Sequence, residues 1–264
     1  MEIVLMISSF LISPLNEQGL RLKMEQAPQS IFFFRYAIVT GANKGIGIEI
    51  VRQLASNGVK VVLTSRDEKR GLHALETLKD LSHLVLFHHL DVAHPASVDS
   101  LANFIKSEFG KLHISINNAG IGGLVIKDND LVPQVLFKSR RVLNEWAKGI
   151  LGDAENLTGE RVDEVLNEFL KDIKEGCLER KGWPKVLGAY IISKAAMNAY
   201  TRIVAKKYPT ICINSVSPGY VKTDITANIR LLTAEEGAAT AVKLALLSNA
   251  SSGLFYFQSD VSSF

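Results

Sequence analysis

From Arg35 onward the sequence alternates four times between short apolar runs and amphipathic stretches. "RYAIVTG" is an apolar run closed by Thr-Gly and predicts a buried parallel strand. A helix is expected from Gly45 to Asn57, stopped by Gly58. "VKVVLTSR" predicts a second strand. "DEKRGLHALETLKDL" predicts a helix that turns Leu72, Leu75, Leu78 and Leu81 inward. "LVLFHHLDV", "PASVDSLANFIKSEFG" and "KLHISINNAG" repeat the pattern as strand, helix and strand. Parallel strands joined through helices cross over right-handedly. The expectation is therefore an α/β, Rossmann-type, doubly wound parallel sheet in a single domain.

After Gly120 the rhythm breaks. "IGGLVIKDNDLVPQVLFKSRRVLNEWAKG" has no helical period. "LTGERVDEVLNEFLKDIKEG" has one: Val162, Val165, Leu166, Phe169, Leu170 and Ile173 form an apolar stripe, with Thr158 as its cap. A long helix containing "AYIISKAAMNAY" follows. "ICINSVSPGYVKTD" predicts a strand and loop, "TAEEGAATAVKLALLS" a helix, and "SGLFYFQSDVSSF" a short closing strand and tail.

The N-terminus stands apart from this pattern. Its apolar stretch, Ile3 to Ile12, is broken by Ser8 and Ser9 and is too short to span a bilayer. Glu2 stands where a secretory signal would carry a basic residue. Residues 1–34 are read as an extension, disordered or not native, with a start at Met24 as the alternative. The domain proper is expected over 35–264, with a helical insert at about 144–185.

A net charge of +3 without a basic run argues against a nucleic-acid partner. Cys177 and Cys212 lack metal-ligand spacing. They read as passive thiols of a reducing compartment, with no metal site and a cytoplasmic location.

Chemistry concentrates in two places. "TGANKGIG" sets Gly41, Gly45 and Gly47 between the first strand of the pattern and its helix, around Asn43, Lys44 and Ile46. Backbone without Cβ can approach a pyrophosphate, and the helix start offers free N–H groups to it. Arg66 ends the second strand, where an NAD site would carry an acid for the ribose 2′-OH. With Lys44 it suits a 2′-phosphate, hence NADP(H). Asp91 and Val92 suit an adenine contact. Asn118, Ala119 and Gly120, within "NNAG", end the fourth strand where the cofactor would lie. The second place is Tyr190, with Lys194 one helical turn on. Such a pair is common by chance, and it gains meaning only beside the glycine loop.

Taken together, "TGANKGIG", "NNAG", Tyr190-x-x-x-Lys194 and "SPGYVKTD" resemble the short-chain dehydrogenase/reductase family from about Arg35 to the C-terminus. The insert before Tyr190 is similar to that of a plant carbonyl reductase branch, which includes neomenthol dehydrogenase, menthone reductase and salutaridine reductase. The resemblance implies an NADP-dependent oxidoreductase acting on a small hydrophobic ketone or alcohol, and a monomer. It implies that Tyr190 is the general acid/base and that Lys194 lowers the Tyr pKa and bonds the nicotinamide ribose. Pro218, Gly219 and Thr223 would hold the carboxamide end, and Val221 would be a further cofactor-binding residue.

The resemblance also implies a Ser in an Asn-Val-Ser-Ser-like sequence ending a fifth strand, and a relay Asn on the helix before it. Neither occurs between Gly120 and Trp146, an interval too short for a full helix and strand. Val135, Leu136 and Phe137 could form a stub of that strand with Ser139 at its end. Ser193 adjoins Lys194 and should face away from the Tyr–Lys side of the helix. With a helix and strand lost, the sheet is expected to expose apolar surface and the chain to be a poor enzyme. The alternative reading is a shortened, non-catalytic NADP-binding chain from a splice variant, pseudogene or faulty gene model.

Overall fold

The computed structural model describes residues 2–7, 34–120, 144–184, 187–223, 232–247 and 251–262. The expected alternation is present. Strand β2 (Tyr36–Val39) leads into α1 (Gly45–Ser56), β3 (Lys60–Ser65) into α2 (Glu68–Glu76), and β4 (Val85–His89) into α3 (Pro95–Phe109). Strand β5 (Ile114–Asn117) closes this half. The other half holds α4 (Glu145–Gly152), α5 (Gly159–Lys174), α6 (Gly188–Lys207), β6 (Ile211–Ser217) and α7 (Ala234–Leu246). It ends in a hairpin of β7 (Phe255–Phe257) and β8 (Asp260–Ser262). The hairpin replaces the single closing strand expected, and Gln258 turns it with a φ of 53°.

The N-terminal segment departs most from expectation. Glu2–Ile7 is a strand, β1, and it lies in the middle of the sheet. The strand order is β4-β3-β2-β5-β1-β6-β7-β8. β1 is parallel to both neighbours: Ile3 pairs with Ile114 on one side and with Cys212 on the other. Residues 2–7 are thus part of the sheet rather than an extension outside it. The physical reason is that an apolar, β-branched run satisfies the two strand edges that β5 and β6 would otherwise leave open. The sheet has no gap where the shortened interval predicted one. The stub Val135–Phe137 and Ser139 lie outside the described residues.

Helices pack on both faces of the sheet. On one face Val39, Ile50, Leu54, Leu63, Ile116 and Val242 belong to one apolar core under α1 and α7. On the other, α3 packs Leu101 and Ile105 against Ile38 and Val62, and α6 packs Val204 and Ala205 against Ile213. The insert adds its own cluster, in which Ala147, Val165, Phe169 and Trp183 meet Ile192 and Ala199 of α6.

Two helical faces differ from the sequence reading. In α2 the buried residues are Gly71 and Ala74, followed by Leu78, while Leu72 is exposed. An every-third-residue leucine count drifts off a period of 3.6. In α5 the buried face runs through Val162, Val165 and Phe169 to Asp172, and leaves Leu170 and Ile173 exposed. Thr158 caps this helix as expected, accepting from the Arg161 N–H. The Asp172 carboxylate accepts from Lys181 Nζ at 2.6 Å and Trp183 Nε1 at 2.7 Å. Burial raises the Asp172 pKa, but these two bonds outweigh it and hold the value below the usual range.

Candidate active site

Every site residue expected from the sequence, apart from the helical pair Tyr190 and Lys194, follows the C-terminal end of a parallel strand. Residues 41–47 follow β2, Arg66 follows β3, Asp91 and Val92 follow β4, residues 118–120 follow β5, and residues 218–223 follow β6. Ligands of open α/β sheets bind along this edge. α6 brings Tyr190 and Lys194 to the β6 side.

The glycine loop is shaped by contacts that only glycine allows. Gly41 has a φ of 60°, and a Cβ there would sit 2.8 Å from the Ala119 Cα. A Cβ on Gly47 would meet Asn118 Nδ2 at 2.5 Å and Ala42 Cα at 2.8 Å. The loop is clasped to the end of β5. Asn118 Nδ2 donates to the Thr40 and Gly41 carbonyls at 2.9 and 3.1 Å. Thr40 Oγ1 accepts from the Asn118 and Ala119 N–H groups, both at 2.9 Å. The Asn118 amide is therefore committed to shaping the loop. α1 starts at Gly45 with no side-chain cap and no acid in its first turn. Its N–H groups and positive dipole end suit a phosphate. Ile46 is a core side chain, so its backbone is what it can offer a ligand.

Arg66 and Lys44 are both exposed at this edge. Asp91 Oδ1 accepts from the Ala93 N–H at 3.0 Å, which fixes the turn after β4. Val92 is half-buried beside it. After β6, Pro218 is buried and Gly219 adopts a φ of 81°. Val221 and Leu232 form a parallel bridge that holds the segment in place. Thr223 reaches back to the glycine loop: a Cβ on Gly45 would lie 3.4 Å from Thr223 Cγ2. The two ends of the expected cofactor site therefore meet.

Tyr190 is half-buried, and Lys194 Nζ lies 5.9 Å from its ring centre. Lys194 is only 8% exposed, and burial pushes its pKa down to about 7. Ser193 Oγ donates to the Tyr190 carbonyl at 2.8 Å, so its hydroxyl serves the helix backbone, off the Tyr–Lys face. Lys194 carries a pH prediction. The unfolded Lys titrates near 10.4. Between about pH 7 and pH 10 the unfolded chain thus binds more protons than the folded one, and stability rises with pH. Below about pH 7 both states are protonated and the cost of burying the charge is fully present. Lys194→Met should flatten the rise. Melting temperatures of both chains from pH 7 to 9.5 check this, and parallel curves would contradict it.

The sequence reading missed β1 as a neighbour of the site strands. A signal existed: "EIVLMI" is an apolar run of strand length, and Ser8-Ser9 follow it in sequence as Ser-Ser closes the family's fifth strand. Ser8 and Ser9 lie outside the described residues. Among the described residues no group of His, Cys, Asp and Glu could hold a metal ion, and no helix is long and apolar enough to cross a membrane.

Residues 35–137 match the short chain dehydrogenase family and residues 177–253 the Enoyl-(Acyl carrier protein) reductase family. The chain is 46% identical to the (+)-neomenthol dehydrogenase of Arabidopsis thaliana, over 87% of this chain and 98% of that one. It is 35% identical to carbonyl reductase (NADPH) 3 of Rattus norvegicus, over 81% of this chain and 91% of that one. The solved structure of salutaridine reductase from Papaver somniferum superposes with a TM-score of 0.76 at 39% identity, covering 84% of this chain and 99% of that one. The alignment with the Arabidopsis protein runs over 290 positions, more than 87% of a 264-residue chain can fill. That relative therefore carries residues with no counterpart here.

Proposed function

Because the chain belongs to the short-chain dehydrogenase/reductase family of oxidoreductases, we propose that it reduces a small hydrophobic ketone with NADPH, or oxidises the matching alcohol. The observation that carries this reading is the Tyr190–Lys194 pair, with Lys194 Nζ 5.9 Å from the Tyr190 ring centre on the helix that leads into β6.

NADPH supplies the hydride when bound. The chain's own residues bind, orient and move a proton. Gly41, Gly45, Gly47 and the start of α1 take the pyrophosphate: a Cβ would clash at Gly41 and Gly47, and Gly45 holds a φ of 58° that favours glycine. Lys44 and Arg66 take the 2′-phosphate. Pro218, Gly219 and Thr223 hold the carboxamide end, and Val221 is a further cofactor-binding residue. Tyr190 gives its phenolic proton to the carbonyl oxygen and regains one from solvent. A free Tyr has a pKa near 10, so it needs a neighbouring cation to titrate closer to neutral pH. Lys194 is that cation, and an anionic ligand beside it favours its charged form despite burial.

The names of the relatives support the substrate class and the cofactor: one is a neomenthol dehydrogenase and one a carbonyl reductase with NADPH in its name. The expected result is NADPH oxidation by the purified full chain in the presence of menthone. NADPH binding without turnover on any cyclic ketone would instead favour a non-catalytic chain. We further propose that the enzyme acts as a cytoplasmic monomer, which sedimentation and fractionation would test.

Cofactor choice has its own test. Arg66→Asp removes a cation from the proposed 2′-phosphate site and adds an acid. Each charge-assisted bond contributes about 1.5–3 kcal/mol, so the NADPH-over-NADH preference should fall by roughly 10- to 150-fold. Fluorescence titration with both cofactors measures it. Equal affinities in the unsubstituted chain would remove the case for NADP.

A further inference from the structure

β5 and β6 are not paired with each other; elsewhere the two halves meet where Arg35 donates to the Ala245 carbonyl at 2.7 Å and, between α1 and α7, where Gln53 Nε2 donates to the Glu235 carbonyl at 3.0 Å. β5 is the last strand of the nucleotide half, which bears the glycine loop, Arg66, Asp91 and Asn118. β6 opens the half that holds α6 against it and continues into residues 218–223. Between β5 and β6 in the sheet lies only β1. Ile3 to Met6 pair with Ile114 to Asn117, and Glu2 to Ile7 pair with Ile211 to Val216. The described residues between β5 and β6 in the sequence form helices and no strand.

β1 also sets a distance. Neighbouring strands lie about 4.8 Å apart, so β6 stands roughly 9.6 Å from β5 while β1 is in place. That spacing lets Thr223 meet Gly45 across the mouth of the site. An empty slot would leave two rows of unpaired N–H and C=O groups facing each other inside the sheet, which is costly. Closing the slot would move Thr223 by about one strand spacing relative to the glycine loop. The sequence of β1 suits a central strand, being apolar from Ile3 to Ile7 with β-branched Ile3, Val4 and Ile7.

We propose that the slot between β5 and β6 is a strand-binding groove, that its occupant is Glu2–Ile7 of the same chain delivered out of sequence order, and that this docking assembles the nucleotide and Tyr190–Lys194 halves into one site. What the assembled site catalyses rests on the function proposed above. The docking does not, and it is tested without turnover.

In the full chain with Cys177→Ser, a cysteine placed by Ile3→Cys stands in register opposite the native Cys212. Paired residues on neighbouring strands are within the Cα separation that a disulfide needs. Mild oxidation should link position 3 to Cys212 within one chain, as read by mass spectrometry of non-reduced peptides. The linked chain should bind NADPH and melt at a higher temperature than its reduced form. Val4→Cys is the control, since position 4 pairs with Ile213 and should link far less. In the unsubstituted chain, hydrogen exchange at Ile3–Ile7 should be slowed on the order of 10³-fold or more, like that of Ile114–Asn117. Unprotected amides at Ile3–Ile7 in a folded chain overturn the proposal. So does equal linking of positions 3 and 4, or no link at position 3. A disulfide joining two chains also overturns it, by making a second copy the donor. An oxidised chain that stays linked yet fails to bind NADPH overturns the claim that docking assembles the site.

Discussion

Tyr190→Phe should lower carbonyl turnover by about 10²–10⁴-fold while NADPH affinity stays within about twofold, the loss being that of a positioned proton donor. Phe keeps the ring, its half-buried packing on α6 and the contact with Lys194. It removes only the hydroxyl. Without that proton the carbonyl oxygen would have to become an alkoxide next to a buried lysine, and solvent would have to supply the proton unaided. The assay is NADPH oxidation with menthone, beside fluorescence titration of NADPH into both chains. Near-normal turnover in the Phe variant places the chemistry elsewhere. Loss of NADPH binding would mean the ring shapes the pocket rather than the reaction.

The second large effect is on stability. Leu5 pairs with Ile116 and Asn214, so its backbone faces a strand on each side. Proline there removes an N–H donor, orphans the carbonyl that accepted from it and cannot sit in a central strand without distortion. The cost is about 2–4 kcal/mol against a total stability of about 5–15 kcal/mol. For a chain of this size that is a fall of roughly 4–16 °C in melting temperature. Leu5→Val keeps the N–H and the strand preference and should stay within about 1.5 kcal/mol of the unsubstituted chain. Indistinguishable melting curves for Leu5→Pro and the unsubstituted chain would remove β1 from the sheet.

The fold was legible where local pattern and tertiary role agree. β2, β3 and β4 are short apolar runs bounded by turn residues, and Gly41, Gly45 and Gly47 mark a turn that only glycine can make. Tyr190 and Lys194 were legible through their spacing, because one helical turn fixes their shared face whatever surrounds them. The inward faces of α2 and α5 were less so. Leu72, Leu170 and Ile173 are as apolar as their buried neighbours, and only the packing partner decides which side of the helix is covered. Asp172 was invisible for the opposite reason: a carboxylate is buried only if Lys181 and Trp183 meet it in space, and periodicity carries no such information. The place of β1 was hidden by sequence distance. Its run of residues reads as a strand, but its partners lie beyond Ile114 and Ile211, and pairing over such separations leaves no local mark.

That separation has a consequence for how the molecule is made. β1 leaves the ribosome before any other strand described here, yet one of its neighbours, Ile211–Ser217, is among the later parts of the chain to emerge. At about 5–20 residues per second, β1 waits roughly 10–40 s before both its neighbours exist. During that wait it is an apolar segment with unmet backbone groups, the kind that pairs with other nascent chains or is held by a chaperone. Yield in a cell will therefore depend on how fast translation proceeds from Ile114 to Ser217, and slow codons in that interval will lengthen the exposure without changing a single residue of the finished protein.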